Sequence, residues 1–272
     1  MSAAGPKAWI PEESLALRLA ALAVAGFLLL PVVFIVAYSF QPGVYFSLAF
    51  HGVSLKWFAN FFASEPFMRA LRTSLAIALV VTPASCVIAL PAAIALVRGR
   101  IRGQETLNAI FLSPLIVPGV VSGIAFLSLF SQLGTGSGFF AIVVAMTCFT
   151  LPFAVRALAA NLHGLPASVE EAARNLGATP WRTFLHVVLP QLRPGLLAAA
   201  IFVFVEAIDN FSIAVFLTDT RTTTLPVEAF AYIRDFDDPT VAAMATLLIA
   251  LSSLLLFVAE RTIGLDKFLR LN

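Results

Sequence analysis

Long apolar runs separated by polar connectors dominate the chain, at about residues 15–39, 71–97, 107–130, 138–158, 195–217 and 240–260. Each is close to the roughly 20 residues that a helix, rising about 1.5 Å per residue, needs to cross a hydrocarbon core. The pattern predicts an all-α membrane protein with six transmembrane helices. The fourth run is the least regular, because Thr147, Thr150 and Pro152 interrupt it. Pro31, Pro83, Pro91, Pro114 and Pro118 fall inside other runs, where neighbouring helices and hydroxyl side chains can satisfy the freed backbone groups. Two connectors are too long for simple turns and read as functional: one near 40–70, with Trp57, Phe58, Phe61 and Phe62, and one near 159–194.

Composition turns this pattern into a class. Of 272 residues, 60% are hydrophobic and 12% are charged, too few polar side chains to cover a water-soluble surface. The net charge of +2 decides nothing; its distribution does. An even number of spans puts both termini on one side. With the termini inside, the inner segments carry Lys7, Arg18, Arg98, Arg100, Arg102, Arg156, Arg174, Arg182, Arg193, Arg261, Lys267 and Arg270. The outer ones carry Lys56, Arg69, Arg72, Arg221 and Arg234. Excess basic residues mark cytoplasmic loops, so both termini are expected to be cytoplasmic. The last outer loop is acidic, with Asp219, Glu228, Asp235, Asp237 and Asp238, and reads equally as a solvated loop or as a charged docking surface.

Cys86 and Cys148 lie in apolar runs and read as small buried hydrophobes, and the first run is too long for the core of a cleavable signal peptide and is expected to be a span. No basic run with interleaved aromatics points to nucleic acid. No glycine loop for nucleotides, metal-ligand cluster or nucleophile–base pair points to bond-making chemistry, and the chain is expected not to be an enzyme. His51, His163 and His186 stand singly near span ends and read as interfacial residues.

The inner connector has a definite local shape. Ser168 is positioned to cap a helix whose first turn holds Glu170 and Glu171, where carboxylates favour the positive end of the dipole. Ala172, Ala173 and Leu176 give that helix a small apolar face. Gly177 then falls just past its end, where a left-handed residue is needed, and Pro180 prevents the same helix from resuming at once. A short, rigid, amphipathic helix ending in a sharp turn suits a groove on another protein; lying flat on the lipid is the plainer alternative.

Glu171-Ala172-Ala173, three residues, Gly177, nine residues, Val187, one residue and Leu189-Pro190 resemble the signature loop of binding-protein-dependent ABC importer permeases. Val187 stands where isoleucine is commoner. The resemblance implies a type I (MetI-like) permease fold in the bacterial inner membrane. It also implies that Glu171, Ala172, Ala173, Gly177, Leu189 and Pro190 couple to a separate ATPase. Residues of about 54–262 are similar to the spermidine/putrescine branch, through Ser54-Leu55-Lys56-Trp57-Phe58, Ala70-Leu71-Arg72-Thr73-Ser74-Leu75, Ser113-Pro114-Leu115-Ile116-Val117-Pro118-Gly119-Val120 and Thr223-Thr224-Leu225-Pro226-Val227. Thr73 departs from the asparagine usual there. The implied partners are a second permease subunit, two ATP-binding subunits and an extracytoplasmic solute-binding protein. No cofactor is expected on this chain; ATP and Mg belong to the partner ATPase. The organisation expected is an N-terminal segment 1–68, a permease domain 69–262 with its coupling loop at about 159–193, and a tail 263–272.

The fifth run carries the polar residues of greatest interest. Glu206 lies near the expected bilayer midplane, and Asp209 and Asn210 follow at i+3 and i+4, on one helix face. Ionisable groups at that depth face a cavity or a partner, and two carboxylates with an amide would attract a cation. The alternative is that they hydrogen-bond a neighbouring helix. Asp209-Asn210 falls where polyamine permeases resemble an Asp-Asp pair. Related permeases for thiamine, ferric iron and aminoethylphosphonate share the architecture, so the solute stays open. Gly119 and Gly123, spaced as G-x-x-x-G, read as helix-packing residues. A secondary transporter and an intramembrane enzyme using Glu206 and Asp209 are the competing classes; inverted repeats would mark the first, a serine–histidine pair or metal histidine the second.

Overall fold

The computed structural model describes residues 15–45, 52–99 and 116–263, with Gly103, Thr106, Ala109 and Phe111 between them. Lys7, His51, Arg100, Arg102, Ser113, Pro114, Leu115, Lys267 and Arg270 lie outside the described residues. So do most of the first half of the third apolar run, residues 1–14 and residues 264–272.

The described elements are all helical: α1 (Leu15–Ser39), α2 (Lys56–Ala63), α3 (Glu65–Arg98), α4 (Gly119–Gln132), α5 (Phe139–His163) and α6 (Ala167–Asn175). They continue with α7 (Pro180–Gln191), α8 (Arg193–Asp209), α9 (Phe211–Leu217), α10 (Leu225–Asp235) and α11 (Thr240–Ile263). Among the described residues, four helices (α1, α3, α5 and α11) are long and apolar enough to cross a membrane. α7 and α8, bent by 64° at Leu192, make a fifth if they count as one span.

The chain divides into two compact units, residues 1–61 with 237–248, and residues 62–236 with 249–272. In the first, the aromatic connector is ordered by specific contacts. The Trp57 indole N–H donates to the Gln41 carbonyl at 2.6 Å, Asn60 donates to the Thr240 hydroxyl at 2.8 Å, and Phe40 packs on Phe58.

In the second unit, α3, α5 and α8 pack against one another. Phe67, Ala70, Ser74, Ile77, Ala78, Val81, Ser85, Ala89 and Ala93 recur every three or four residues along α3 and are buried. Most are small, which lets helix backbones approach closely. The Ser85 and Thr150 hydroxyls share a buried hydrogen bond of 2.9 Å between α3 and α5. At Gly195 a Cβ would lie 2.7 Å from Asn161 Cβ, so α8 meets α5 where a side chain would not fit.

α5 is continuous through the irregular fourth run. Thr147 and Thr150 donate to the carbonyls four residues back, Val143 at 2.7 Å and Met146 at 2.8 Å, so their hydroxyls are satisfied within the helix. The glycine pair of α4 packs on α9. A Cβ at Gly119 would lie 2.9 Å from Ser212 Cβ, and one at Gly123 would lie 2.7 Å from Phe216 Cδ2.

Two expectations need correcting. Neither cysteine is buried: Cys86 is half-buried, and Cys148 is exposed beside an apolar cavity of about 300 Å³ between α4 and α5. Helix faces that read as core in an apolar run can equally be lipid-facing, since both environments select the same residues. The fifth run, in turn, is not one helix, because α8 ends at Asp209 and α9 begins at Phe211.

The ends of the second unit sort by contact. The Gly138 N–H, at the start of α5, donates to the Leu217 carbonyl at 2.7 Å, and the Leu225 N–H donates to Ser74 of α3 at 2.8 Å. Asp219 closes the intervening turn by accepting the backbone N–H groups of Arg221 and Thr222, which hold its carboxyl below the usual carboxylate range.

Candidate functional site

Two constellations lie on the second unit. The first is the connector between α5 and α8. α6 begins at Ala167, with Pro166 in the capping position, so Ser168 is inside the first turn and makes no cap. The proline already has the φ of a helix entrance (−63°) and needs no side-chain acceptor to turn the chain. Glu170 is in the first turn, as expected; Glu171 lies just beyond it and is exposed.

The other end of α6 forms as the sequence predicts. Gly177 has φ +87°, a left-handed conformation, and its N–H donates to the Arg174 carbonyl at 2.9 Å. The Ala178 N–H reaches back to the Ala173 carbonyl at 3.1 Å. This pair of bonds is a Schellman motif, which satisfies the last carbonyls of the helix and stiffens its end. Thr179 then accepts the Arg182 N–H, and Pro180 occupies the first position of α7, where its missing N–H costs nothing.

α6 buries none of its residues. Leu176 is 89% exposed and Trp181 is 66% exposed, one on each side of Gly177. Ala172 is exposed and Ala173 half-buried. The tip is therefore a rigid apolar knob standing clear of the fold.

Val187, Leu189 and Pro190 lie ten or more residues beyond Gly177. They occupy the widened, π-helical stretch Phe184–Val188 of α7 and the turn after it. Pro190 cannot donate to the helix ladder, and widening the ladder accommodates that loss. Leu192, fully buried, then marks the 64° bend into α8. His163 and His186 each donate Nδ1–H to the carbonyl four residues back, at 2.7 and 3.1 Å, and belong to no cluster.

Arg98 is the residue that sequence reading missed. It entered only as a charge on a connector, but it is bound. Its Nε donates to Glu170 Oε1 at 3.1 Å and its Nη2 to the Leu165 carbonyl at 2.6 Å. Partners 67 and 72 residues away leave no local signal.

The second constellation is the break between α8 and α9. Asn210 has an extended backbone (φ −73°, ψ 108°) and is not helical. The three polar residues thus do not share one helix face, yet a side-chain bond keeps two of them together. The Asn210 amide donates to Glu206 Oε1 at 3.0 Å, and its own oxygen caps α9 by accepting the Ile213 N–H at 3.0 Å. Asp209, the last residue of α8, is exposed. Side chains of this type end helices by offering the backbone an alternative partner.

The break leaves the last carbonyls of α8 without successor amides, next to two carboxylates. Helix C-termini and carboxylates both favour positive charge, so the place suits a cation. The Phe211 and Phe230 rings pack beside it, tilted by 50° with centres 5.1 Å apart. Among the described residues no group of His, Cys, Asp and Glu is placed to hold a metal ion.

The family model described as "Binding-protein-dependent transport system inner membrane component" matches residues 81–263. The chain is 30% identical over 240 residues to the putrescine transport system permease protein PotI of Escherichia coli (strain K12), covering 86% of this chain and 85% of that one. It is 34% identical over 177 residues to the sulfate transport system permease protein CysT of the same strain, covering 60% and 64%. Among solved structures, it resembles a bacterial ABC transporter involved in the import of the acidic polysaccharide alginate. That likeness has a TM-score of 0.71 at 20% identity and covers 93% of this chain and 99% of the other. It also resembles the MetNI methionine ABC transporter in inward-facing conformations, with a TM-score of 0.60 at 25% identity, covering 74% and 98%.

Proposed function

This chain belongs to the family of binding-protein-dependent transport system inner membrane components, and from that membership we propose that it forms half of an import path for a small organic cation, with a polyamine as its solute. The chain is a multi-pass, non-catalytic permease subunit of an ABC importer of the bacterial inner membrane, with the all-α, MetI-like fold.

The observation that carries the solute reading is the helix break at Asn210. It brings Glu206, Asp209 and the carbonyl end of α8 to one place in an apolar span. Such a place stabilises positive charge and repels an anion, which weighs against a sulfate-like solute despite the likeness to a sulfate permease. The likeness to a putrescine permease points the same way.

The α6 tip, Glu171 to Gly177, is the part that docks in a cleft of the ATP-binding subunit, where ATP and Mg reside. Its stiff Schellman end and exposed Leu176 and Trp181 support this. The full importer then comprises a second, different permease chain, two ATP-binding subunits and an extracytoplasmic binding protein. Six spans with both termini cytoplasmic complete the reading, supported by the basic residues around α6 and α7.

The test uses the whole importer in proteoliposomes with putrescine as the dication. Asp209 is exposed, so Asp209→Asn is expected to slow uptake on the order of tenfold, the loss of one partly water-screened carboxylate, while basal ATP hydrolysis changes little. Equal losses in uptake and basal hydrolysis would remove Asp209 from the solute path.

A further inference from the structure

α6 is thinly attached to the body of the permease. It buries no residue, and its packing partner is α7, itself the next piece of the same connector. A force applied at the Gly177 tip needs a stiffer route inward than this.

Arg98 supplies one. It sits in the last turn of α3, where a cation is favoured by the helix dipole, and its side chain reaches over to the corner between α5 and α6. One guanidinium donates through Nε to Glu170 Oε1 (3.1 Å) and through Nη2 to the Leu165 carbonyl (2.6 Å). The Leu165 carbonyl lies two residues before α6, and the Val169 N–H donates to the Pro166 carbonyl at 3.2 Å. The Arg98 and Glu170 side chains are 25% and 20% exposed, so water screens the pair only partly. Two charge-assisted bonds from a planar fork to two separate acceptors fix direction as well as distance.

Along its length α3 packs on α5 and on α8, the helix whose last turn holds Glu206 and Asp209. We propose that Arg98 is a positioning residue that carries displacement of the coupling helix α6 into α3, and through the α3–α8 packing to the solute path. This rests on the coupling reading of α6. A lysine at 98 would keep the charge but present no fork, and would hold one acceptor at a time.

The assembled importer in proteoliposomes, with saturated binding protein, gives both putrescine uptake and ATP hydrolysis in one sample. Arg98→Gln is expected to lower uptake per ATP hydrolysed roughly tenfold, the scale of a charge-assisted hydrogen bond, with the ATPase still co-purifying. Arg98→Lys is expected to fall between wild type and Arg98→Gln. Combining Arg98→Gln with Glu170→Gln is expected to cost no more than Arg98→Gln alone, because the two groups act as one contact.

An uptake-to-hydrolysis ratio unchanged in Arg98→Gln overturns the proposal, as does a parallel fall of both rates. If Arg98→Gln does not assemble, Arg98→Lys decides, and a wild-type ratio in that variant overturns it. Gly177→Val is run alongside. If it uncouples while Arg98→Gln does not, only the role of Arg98 fails; if neither uncouples, the coupling reading of α6 fails with it.

Discussion

Three glycines of this chain are constrained in two different ways, and the difference decides what substitution does. At Gly123 and Gly195 the constraint is space, since an added Cβ would lie 2.7 Å from a neighbouring side-chain carbon. At Gly177 nothing lies within 4 Å, and the constraint is the backbone angle of +87° alone. An L-residue in that conformation costs about 1–2 kcal/mol, least for Asn and most for β-branched side chains. Gly177→Asn is therefore expected to keep most uptake per ATP, Gly177→Ala less, and Gly177→Val to lose on the order of tenfold. The order matters more than the size. If Asn were worse than Ala, the ATPase cleft would be sensing side-chain volume at the tip, and the left-handed turn would not be the controlling feature.

At the scale of elements, the long helices could be read from hydrophobicity because a span needs only length and apolarity. α1 coincides with its predicted run, and α3, α5 and α11 overlap theirs within a turn or two. Gly177 was legible as well, since few residues besides glycine end a helix in that conformation. The break at Asn210 was not. Hydrophobicity runs on unbroken from Ile208 to Phe211 except for the polar pair, and nothing local says whether an asparagine will cap a new helix or sit in an old one. Part of the cause is remote: α9 is held against the glycine stripe of α4, some 90 residues earlier. The Arg98 contacts escaped for the same reason, and Ser168 misled because Pro166 had already started its helix. The remote cause can be tested. A larger side chain at Gly123 meets Phe216 and also the Ser212 carbonyl at 3.0 Å and Ile213 Cα at 3.2 Å, backbone atoms that cannot turn aside. Gly123→Leu is expected to destabilise the purified protein by about 1–3 kcal/mol, read as a lower thermal midpoint in detergent. Gly26→Leu in α1, where nothing lies within 4 Å, should leave the midpoint in place. Equal midpoints for the two variants would refute the packing account.

At the scale of the molecule, the second unit has two ends, and its own bonds define them. Arg98 joins the C-terminal end of α3 to the corner after α5, so those two helices run in the same direction and α6 lies at their shared end. Gly138 to Leu217 and Leu225 to Ser74 tie the starts of α5 and α3 to the segment 217–225, which lies at the opposite end. Arg98, Arg174, Arg182 and Arg193 stand at the first end, and the Asp219 turn stands at the second. By the excess of basic residues that the sequence assigns to the inner segments, the first end is expected to face the cytoplasm. Leu176 and Arg221, both exposed, report on the two ends. With Cys86 and Cys148 replaced by serine, Leu176→Cys and Arg221→Cys are made singly and expressed without the ATP-binding subunits, which would otherwise cover the tip. A membrane-impermeant maleimide is expected to label Arg221→Cys in intact spheroplasts and Leu176→Cys only in inside-out vesicles. Labelling of both variants from one side would contradict the arrangement of α3 and α5. Labelling of each from the side opposite to that expected would turn the molecule over and leave α6 out of reach of any cytoplasmic ATPase.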